Sequence, residues 1–256
     1  MIKVLHVGDL MGSPGRAAFE KLLPHLKATY SPDFIVVNGE NSAGGRGITP
    51  KIAQWLFDLG VDVITTGNHI WDQRDIGVYL DSEPRVLRPA NFSRRAPGSG
   101  IVTVTKKDLT LTVINLQGRA FMAPNDCPYQ KALELIEGVQ GPILVDFHAE
   151  ATAEKKLMGH WLDGKVMALL GTHTHVPTAD EMILPGGTAY QTDVGMTGAR
   201  HSSIGLTFES VIPRMVHGLP GKFEVSDEDP WLCATLVTGD EDWGLATAIE
   251  RINLPA

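Results

Sequence analysis

Six apolar, strand-like runs in this chain each end on a short polar cluster: Gly8-Asp9, Gly39-Glu40-Asn41, Gly67-Asn68-His69, Asn115, Phe147-His148 and Gly171-Thr172-His173-Thr174-His175. The runs over Val4 to Val7, Phe34 to Asn38 and Val61 to Thr66 are β-branched and bounded by Gly or Pro, which predicts strands. Helix signals lie between them, over Arg16 to Tyr30 with a break or bend near Pro24, and over Pro50 to Leu59. The second of these carries Thr49 as N-cap, Pro50 at the first helical position and Gly60 just past its end. Strand, helix and strand in alternation predict a parallel sheet, with the polar clusters at strand ends where open α/β sheets place their ligands.

The middle of the chain changes character. Gly100 to Lys106 and Leu109 to Asn115 flank Lys107-Asp108, the pattern of an antiparallel hairpin. A helix over Pro128 to Glu137, a strand over Ile143 to Phe147, a helix over Ala153 to Leu162 and a strand over Val166 to Leu170 follow. Beyond His175 the chain is Gly-rich, and two last strand-like runs, Leu232 to Thr238 and Ala246 to Ile252, flank the turn Gly239 to Asp242. Two half-sheets of this kind predict an α/β fold built as a two-sheet β-sandwich flanked by helices. With 43% hydrophobic residues in 256, no repeat and no linker, the expectation is one domain spanning residues 1–256.

The formal charge is -8, and basic residues cluster no further than pairs such as Lys106-Lys107 and Arg94-Arg95. That leaves no electrostatic footprint for tracking a long nucleic acid. A small phosphorylated ligand remains open, because bound metal ions can supply the positive charge. Cys127 and Cys233 stand far apart without C-x-x-C spacing, so they are read as reduced packing residues. The N-terminal apolar run is too short for a signal peptide, and no stretch of about 18 apolar residues appears, so a cytoplasmic protein with no membrane partner is expected.

The clusters supply carboxylate, amide and imidazole groups. Gly8 lets the backbone turn so that Asp9 can face a ligand, or Asp9 caps the turn. Glu40 has two oxygens with which to share two cations, and Asn41 adds a neutral oxygen ligand. The glycine-dense loop Ser42 to Gly47 either brings N–H groups to a phosphate or is a plain connection. Asn68 can coordinate a cation, while His69 can act as a general acid. His148 ends one strand, and His173-Thr174-His175, if extended, projects both imidazoles to one face two residues apart, which suits two neighbouring metals or one chelated metal. His6, His25, His160 and His217 are read as structural, and His201 is a lesser candidate beside Arg200.

Taken in order, these clusters resemble the calcineurin-like metallophosphoesterases, whose pattern is D-x-H, G-D, G-N-H-[DE], H and G-H-x-H. The chain is more closely similar to the YmdB-like phosphodiesterase branch, through Asn38 to Gly45, Asp146 to Thr152 and Thr192 to Gly198. Three departures from the wider pattern stand out. Met11 replaces the His of D-x-H, Glu40 replaces the Asp of G-D, and Ile70 replaces the acid after His69, so a carboxylate partner for His69 must come from elsewhere or be absent.

The resemblance implies that Asp9, Asn41 and His175 hold one metal, that Asn68, His148 and His173 hold another, and that Glu40 bridges them. With no thiolate among the ligands, iron, manganese or zinc is expected, and the resemblance leans toward iron or manganese. The implied reaction is hydrolysis of a cyclic nucleotide or similar small phosphodiester by a metal-bridging hydroxide, with His69 protonating the leaving group. A nucleotide sensor with little turnover and a phosphomonoesterase are the competing readings. The loops Arg119 to Met122 and Asp193 to His201 are expected to shape the substrate pocket, and the apolar segment Val211 to Val216 is a candidate interface in a homo-oligomer.

Overall fold

The computed structural model describes residues 1–256. One sheet contains β1 (Ile2–Val7), β2 (Asp9–Leu10), β3 (Phe34–Asn38) and β4 (Val63–Thr65). The second contains β5 (Ile101–Lys106), β6 (Leu109–Gln117), β7 (Ile143–His148), β8 (Ala168–Thr172), β9 (Met182–Ile183) and β10 (Ala189–Gln191). The chain then returns to the first sheet with β11 (Met196–Ala199), β12 (Pro230–Gly239) and β13 (Ala246–Pro255). The first sheet runs β2-β11-β12-β1-β3-β4, with β13 also on β12, and the second runs β5-β6-β7-β8-β10-β9. As expected, β1, β3 and β4 are mutually parallel, and β5 and β6 form the antiparallel hairpin, with Lys107 in its turn at φ 53.

Helices α1 (Gly12–Tyr30), α2 (Pro50–Asp58) and α3 (Ile76–Ser82) precede the hairpin, and α4 (Pro128–Ile136), α5 (Thr152–Leu162) and α6 (Phe208–Met215) follow it. α1 begins earlier than the sequence signals and runs through Pro24. Pro24 lies on the exposed face, where water can satisfy the carbonyl that a proline leaves without its donor. Thr49 caps α2 through its hydroxyl, which accepts from Ile52 N at 3.3 Å. The segment read as an apolar loop from Val211 to Val216 belongs to α6, a helix that includes Pro213.

Alternation along the strands sorts the core into three layers. Leu5, Val7, Ile35 and Val37 face Phe19, Leu23, Leu26, Ala53 and Leu56 of the helices. Ile2, Val4, Phe34, Val36 and Val63 meet Leu111, Val113, Leu144 and Leu170 between the two sheets. Ile114, Val145, Phe147 and Leu169 pack with Ala132, Met158 and Leu162 on the far side. Because side chains repeat every second residue, each strand carries one apolar set into the sandwich and another toward helices.

The inter-sheet set turns polar at the strand ends. Val4 gives way to His6, Val36 to Asn38, Val63 to Thr65, Val113 to Asn115 and Gln117, Leu144 to Asp146 and His148, and Leu170 to Thr172. All of these polar residues are buried. The apolar filling between the sheets therefore ends in a polar floor. Asn115 is not at a strand end as its apolar run suggested: β6 continues to Gln117, and Asn115 Oδ1 instead accepts from Thr66 N at 3.0 Å, tying the sheets together. Both cysteines are free, and no helix is long and apolar enough to cross a membrane.

Candidate metal centre

Asp146 anchors the floor. Its Oδ2 accepts from Asn38 Nδ2 at 3.0 Å and from Thr65 Oγ1, and lies 3.3 Å from His6 Nε2. Its Oδ1 accepts from Thr172 Oγ1 at 2.7 Å. Having given its proton to Asp146, the Thr172 hydroxyl accepts from His148 Nδ1 at 2.9 Å, so His148 Nε2 points inward. The Asp146 carboxyl is held below its ordinary range: burial works the other way, but the hydrogen bond and charge of His6 and the two threonine hydroxyls outweigh it.

The other two imidazoles are oriented by the same device. His175 Nδ1 donates to the Ile204 carbonyl at 2.9 Å, leaving Nε2 inward, 3.2 Å from Asn41 Oδ1 and 4.0 Å from Asp9 Oδ1. His173 Nε2 lies 3.0 Å from Glu150 Oε2, leaving Nδ1 inward, 3.0 Å from His148 Nε2. Outer partners of this kind are what metal-ligating histidines carry.

His148 Nε2 is also 2.9 Å from Glu40 Oε1 and 3.1 Å from Asn68 Oδ1. Four inward atoms thus crowd one point, from Glu40, Asn68, His148 and His173, and a single ring proton cannot satisfy them all. Glu40, His148 and His173 lie within 4.8 Å of one another. Asp9, Asn41 and His175 form a second group beside the first. Asp9 Oδ2 accepts from His173 N at 3.1 Å, whereas Asp9 Oδ1 is buried with no hydrogen-bond partner. Asn41 spends its amide N–H on Gly45 O at 3.0 Å, which turns its oxygen inward.

All seven residues expected to hold metal therefore converge at adjoining strand ends, and the donor set of carboxylate, amide and imidazole suits a hard or borderline cation. The orphaned Asp9 oxygen fits the same requirement. The backbone approaches too closely for any side chain at two glycines: a Cβ on Gly67 would sit 2.2 Å from His148 Cδ2 and 2.3 Å from Glu40 Oε2, and one on Gly8 would sit 1.9 Å from Gly195 O. Electrostatics pull the groups apart. Burial lifts Asp9 to about 6. It would lift Glu40 too, but the charge and hydrogen bond of His148 prevail and hold it at about 2. Glu40 in turn raises His148 to about 9 against burial, and burial with the neighbouring His148 lowers His173 to about 3.

The His173-Thr174-His175 stretch is not extended, contrary to its reading from sequence. His173 has φ 99 and His175 φ 67, a left-handed backbone that side-chain-bearing residues seldom adopt. Thr174 is clamped by Asp193, whose Oδ2 accepts from Thr174 N at 3.1 Å and Oγ1 at 2.7 Å. Asp193 is itself paired with the buried Lys155 at 2.6 Å. The turn sends the two imidazoles to different groups, His173 to His148 and His175 to Asn41. Strain of this kind persists where surrounding contacts overdetermine it.

His69 stands at the rim, its Nδ1 3.0 Å from Asp72 Oδ2 and its backbone N donating to Glu40 Oε2 at 3.1 Å. The missing carboxylate partner is thus supplied three residues on, across the single 3₁₀ turn Ile70–Asp72. The His-x-x-Asp spacing was the available signal. His201 lies apart, exposed and 2.8 Å from Glu228.

A cavity of about 590 Å³ opens over the centre, bringing Arg46, Arg214 and Lys222 around Glu40, Asn41, His69, His173 and His175. Neither loop expected to shape it does so. Segments 44–46, 203–206, 211–215 and 221–223 line it instead, while Met196, Gly198 and Arg200 line a separate cavity beyond His175. The reason is that α6 and the segment after it fold back over the centre.

The family model described as YmdB-like protein matches residues 5–252. A 2′,3′-cyclic-nucleotide 2′-phosphodiesterase of Bacillus subtilis (strain 168) is 46% identical over 254 residues, 98% of this chain and 96% of that one. Among solved structures, a hypothetical protein from Thermus thermophilus superposes with TM-score 0.94 at 38% identity, covering 99% of both chains. A novel phosphatase from Mycoplasma pneumoniae superposes with TM-score 0.94 at 34% identity, over 99% of this chain and 93% of that one.

Proposed function

The chain belongs to the YmdB-like protein family, and from that premise we propose that it is a metal-dependent phosphoric diester hydrolase acting on 2′,3′-cyclic nucleotides or closely related small diesters. The observation that carries this reading is the convergence of seven inward-facing donor groups, with all three imidazoles oriented from outside and Asp9 Oδ1 buried without a partner. Asp9, Asn41 and His175 would hold one ion, Asn68, His148 and His173 the other, with Glu40 shared. Bound there, two such ions would draw off charge from the phosphoryl oxygens and make a water in the site more acidic. The oxygen and nitrogen donors suit iron, manganese or zinc.

The remaining steps belong to the chain's own side chains. Arg46, Arg214 and Lys222 give the cavity the positive field that draws in a phosphodiester, although the molecule as a whole is acidic. A water that has released a proton to solvent bonds through its oxygen to phosphorus, one P–O ester bond breaks, and the departing alkoxide takes a proton from His69. Asp72 holds His69 Nδ1, so the proton is delivered from Nε2, and the Asp72 carboxylate balances the positive charge that the ring carries until the transfer. A proton donor fixed in this way favours turnover over sensing.

Metal analysis of the purified protein, beside product detection on a 2′,3′-cyclic nucleotide and on a phosphate monoester, tests the reading. Glu40→Ala should lose metal and activity together, whereas His69→Ala should keep its metal and slow turnover by about 10² to 10⁴. A metal-replete protein that binds the nucleotide without forming product would favour the sensor. Faster cleavage of the monoester would favour the phosphomonoesterase.

A further inference from the structure

A second cavity, of about 490 Å³, meets the metal centre at Asn68 and is lined by Trp71, Arg74, Phe92, Gln117 and Asn125 among others. Gln117 is its unusual member. It is the last residue of β6 and lies directly beside His148 in the parallel register with β7. Its backbone is fixed by Asn91, which accepts from Gln117 N at 2.9 Å and donates from Nδ2 to Gln117 O at 2.9 Å. The side chain is fully buried, yet neither Oε1 nor Nε2 has a hydrogen-bond partner.

A buried carboxamide left unpaired bears the desolvation penalty of both its polar groups, so a ligand offering both a donor and an acceptor is favoured there. The cavity also has a flat apolar wall. Trp71 is 40% exposed and inclined at 37° to Phe92, with their ring centroids 6.2 Å apart. A nucleobase meets both conditions: its edge carries adjacent donors and acceptors that a glutamine amide can pair in bidentate fashion, and its face stacks on aromatic rings.

The geometry points to a base-recognition site: the cavity between Trp71, Phe92 and Gln117 takes the planar base of the substrate while its phosphodiester lies at Asn68 and the neighbouring donors. This assignment rests on the phosphodiesterase reading above, and it makes the enzyme selective for nucleotides over cyclic phosphates that lack a base. Adenine, with its adjacent amine and ring nitrogen, is the best match to Gln117.

The test compares kcat/KM on adenosine 2′,3′-cyclic phosphate with kcat/KM on glycerol 1,2-cyclic phosphate, which has no base. Gln117→Leu, close in volume, should lower the ratio of the two at least tenfold, and Trp71→Leu at the mouth should lower it in the same sense should Gln117→Leu not fold. A ratio within twofold of the parent in metal-replete variants would overturn the assignment. So would a selective loss in Phe223→Ala, which alters the other cavity. Calorimetric titration with adenosine separates this idea from the phosphodiesterase reading. If the parent protein cleaves neither ester but binds adenosine in a Gln117-dependent way, the base site stands and the hydrolase reading falls. If adenosine does not bind and the ratio does not move, the cavity holds only water.

Discussion

At the scale of single residues, the imidazole rings decide what the centre can do, and each is decided by one neighbour. His148, His173 and His175 were legible in the sequence because each follows an apolar run, but the atoms that aim them, Thr172, Glu150 and the Ile204 carbonyl, were not. Such partners depend on which strands lie side by side, and no local pattern encodes that. His69 is the instructive case, since its partner Asp72 sits three residues away and needs only one 3₁₀ turn to reach it. Asp72→Asn removes the charge while keeping the shape. Turnover should fall about 10- to 100-fold with metal content unchanged, the range seen when outer-shell partners are lost. Equal rates in parent and variant, at equal metal content, would remove Asp72 from the mechanism.

Cys233 offers a second check at this scale. Burial in β12, with Asp193 nearby, pushes its thiol up to about 12. At pH 8 the thiolate fraction is then about 10⁻⁴, against about a quarter for a free thiol of ordinary pKa near 8.5. Raising the pH toward 12 should restore reactivity, because deprotonation is what burial suppresses. Mass spectrometry after brief iodoacetamide treatment at pH 8 should find Cys233 unmodified in the native protein and fully modified in denaturant. Rapid native labelling would show that β12 opens readily.

At the scale of elements, the strands that repeat strongly were readable nearly to the residue. β3 spans Phe34–Asn38 as its composition indicates, and α2 begins at Pro50 behind its Thr49 cap. What escaped was short: β2, β9, β10 and β11 have at most four residues each, too few for a pattern to repeat. The His173–His175 turn escaped for a related reason. H-x-H on a strand would chelate, but β8 ends at Thr172 and the backbone then enters the left-handed region.

The Lys155–Asp193 clamp from α5 holds that turn, and its removal should show as instability before it shows as chemistry. Lys155→Met fills the same space but strands a buried carboxylate, which costs about 3–5 kcal/mol. A drop in Tm of several degrees is expected, with metal affinity falling as Thr174 loosens. Pairing the change with Asp193→Leu should recover part of the lost stability, since no unpaired charge remains. A single variant as stable as the parent would mean that Asp193 is held by Thr174 and Gly195 alone.

At the scale of the whole molecule, the two ends of the chain meet in one sheet. β1 pairs along its full length with β12, residue 2 opposite 239 and residue 7 opposite 234, and β13 closes on β12 beside it. The α/β class and the sandwich were legible because central strands such as β1, β3 and β7 carry apolar residues on both faces, but the pairing of first strand with penultimate strand was not, because nothing in either segment names its partner. The consequence is mechanical. β12 carries β1 and β11 one after the other along one edge and β13 along the opposite edge, and Asp9 leaves β1 toward β2, which itself rests on β11. Without β12, the strand that delivers Asp9 loses its antiparallel neighbour and the inter-sheet layer loses Val237. A chain ending at residue 229 is therefore expected to show neither a cooperative thermal transition nor metal binding, while the full chain unfolds in one calorimetric step whose van't Hoff and calorimetric enthalpies agree. Two resolved transitions in the full chain, or a sharp transition in the shortened one, would mean that the sheets fold as separate units and that the donor groups are assembled from independent halves.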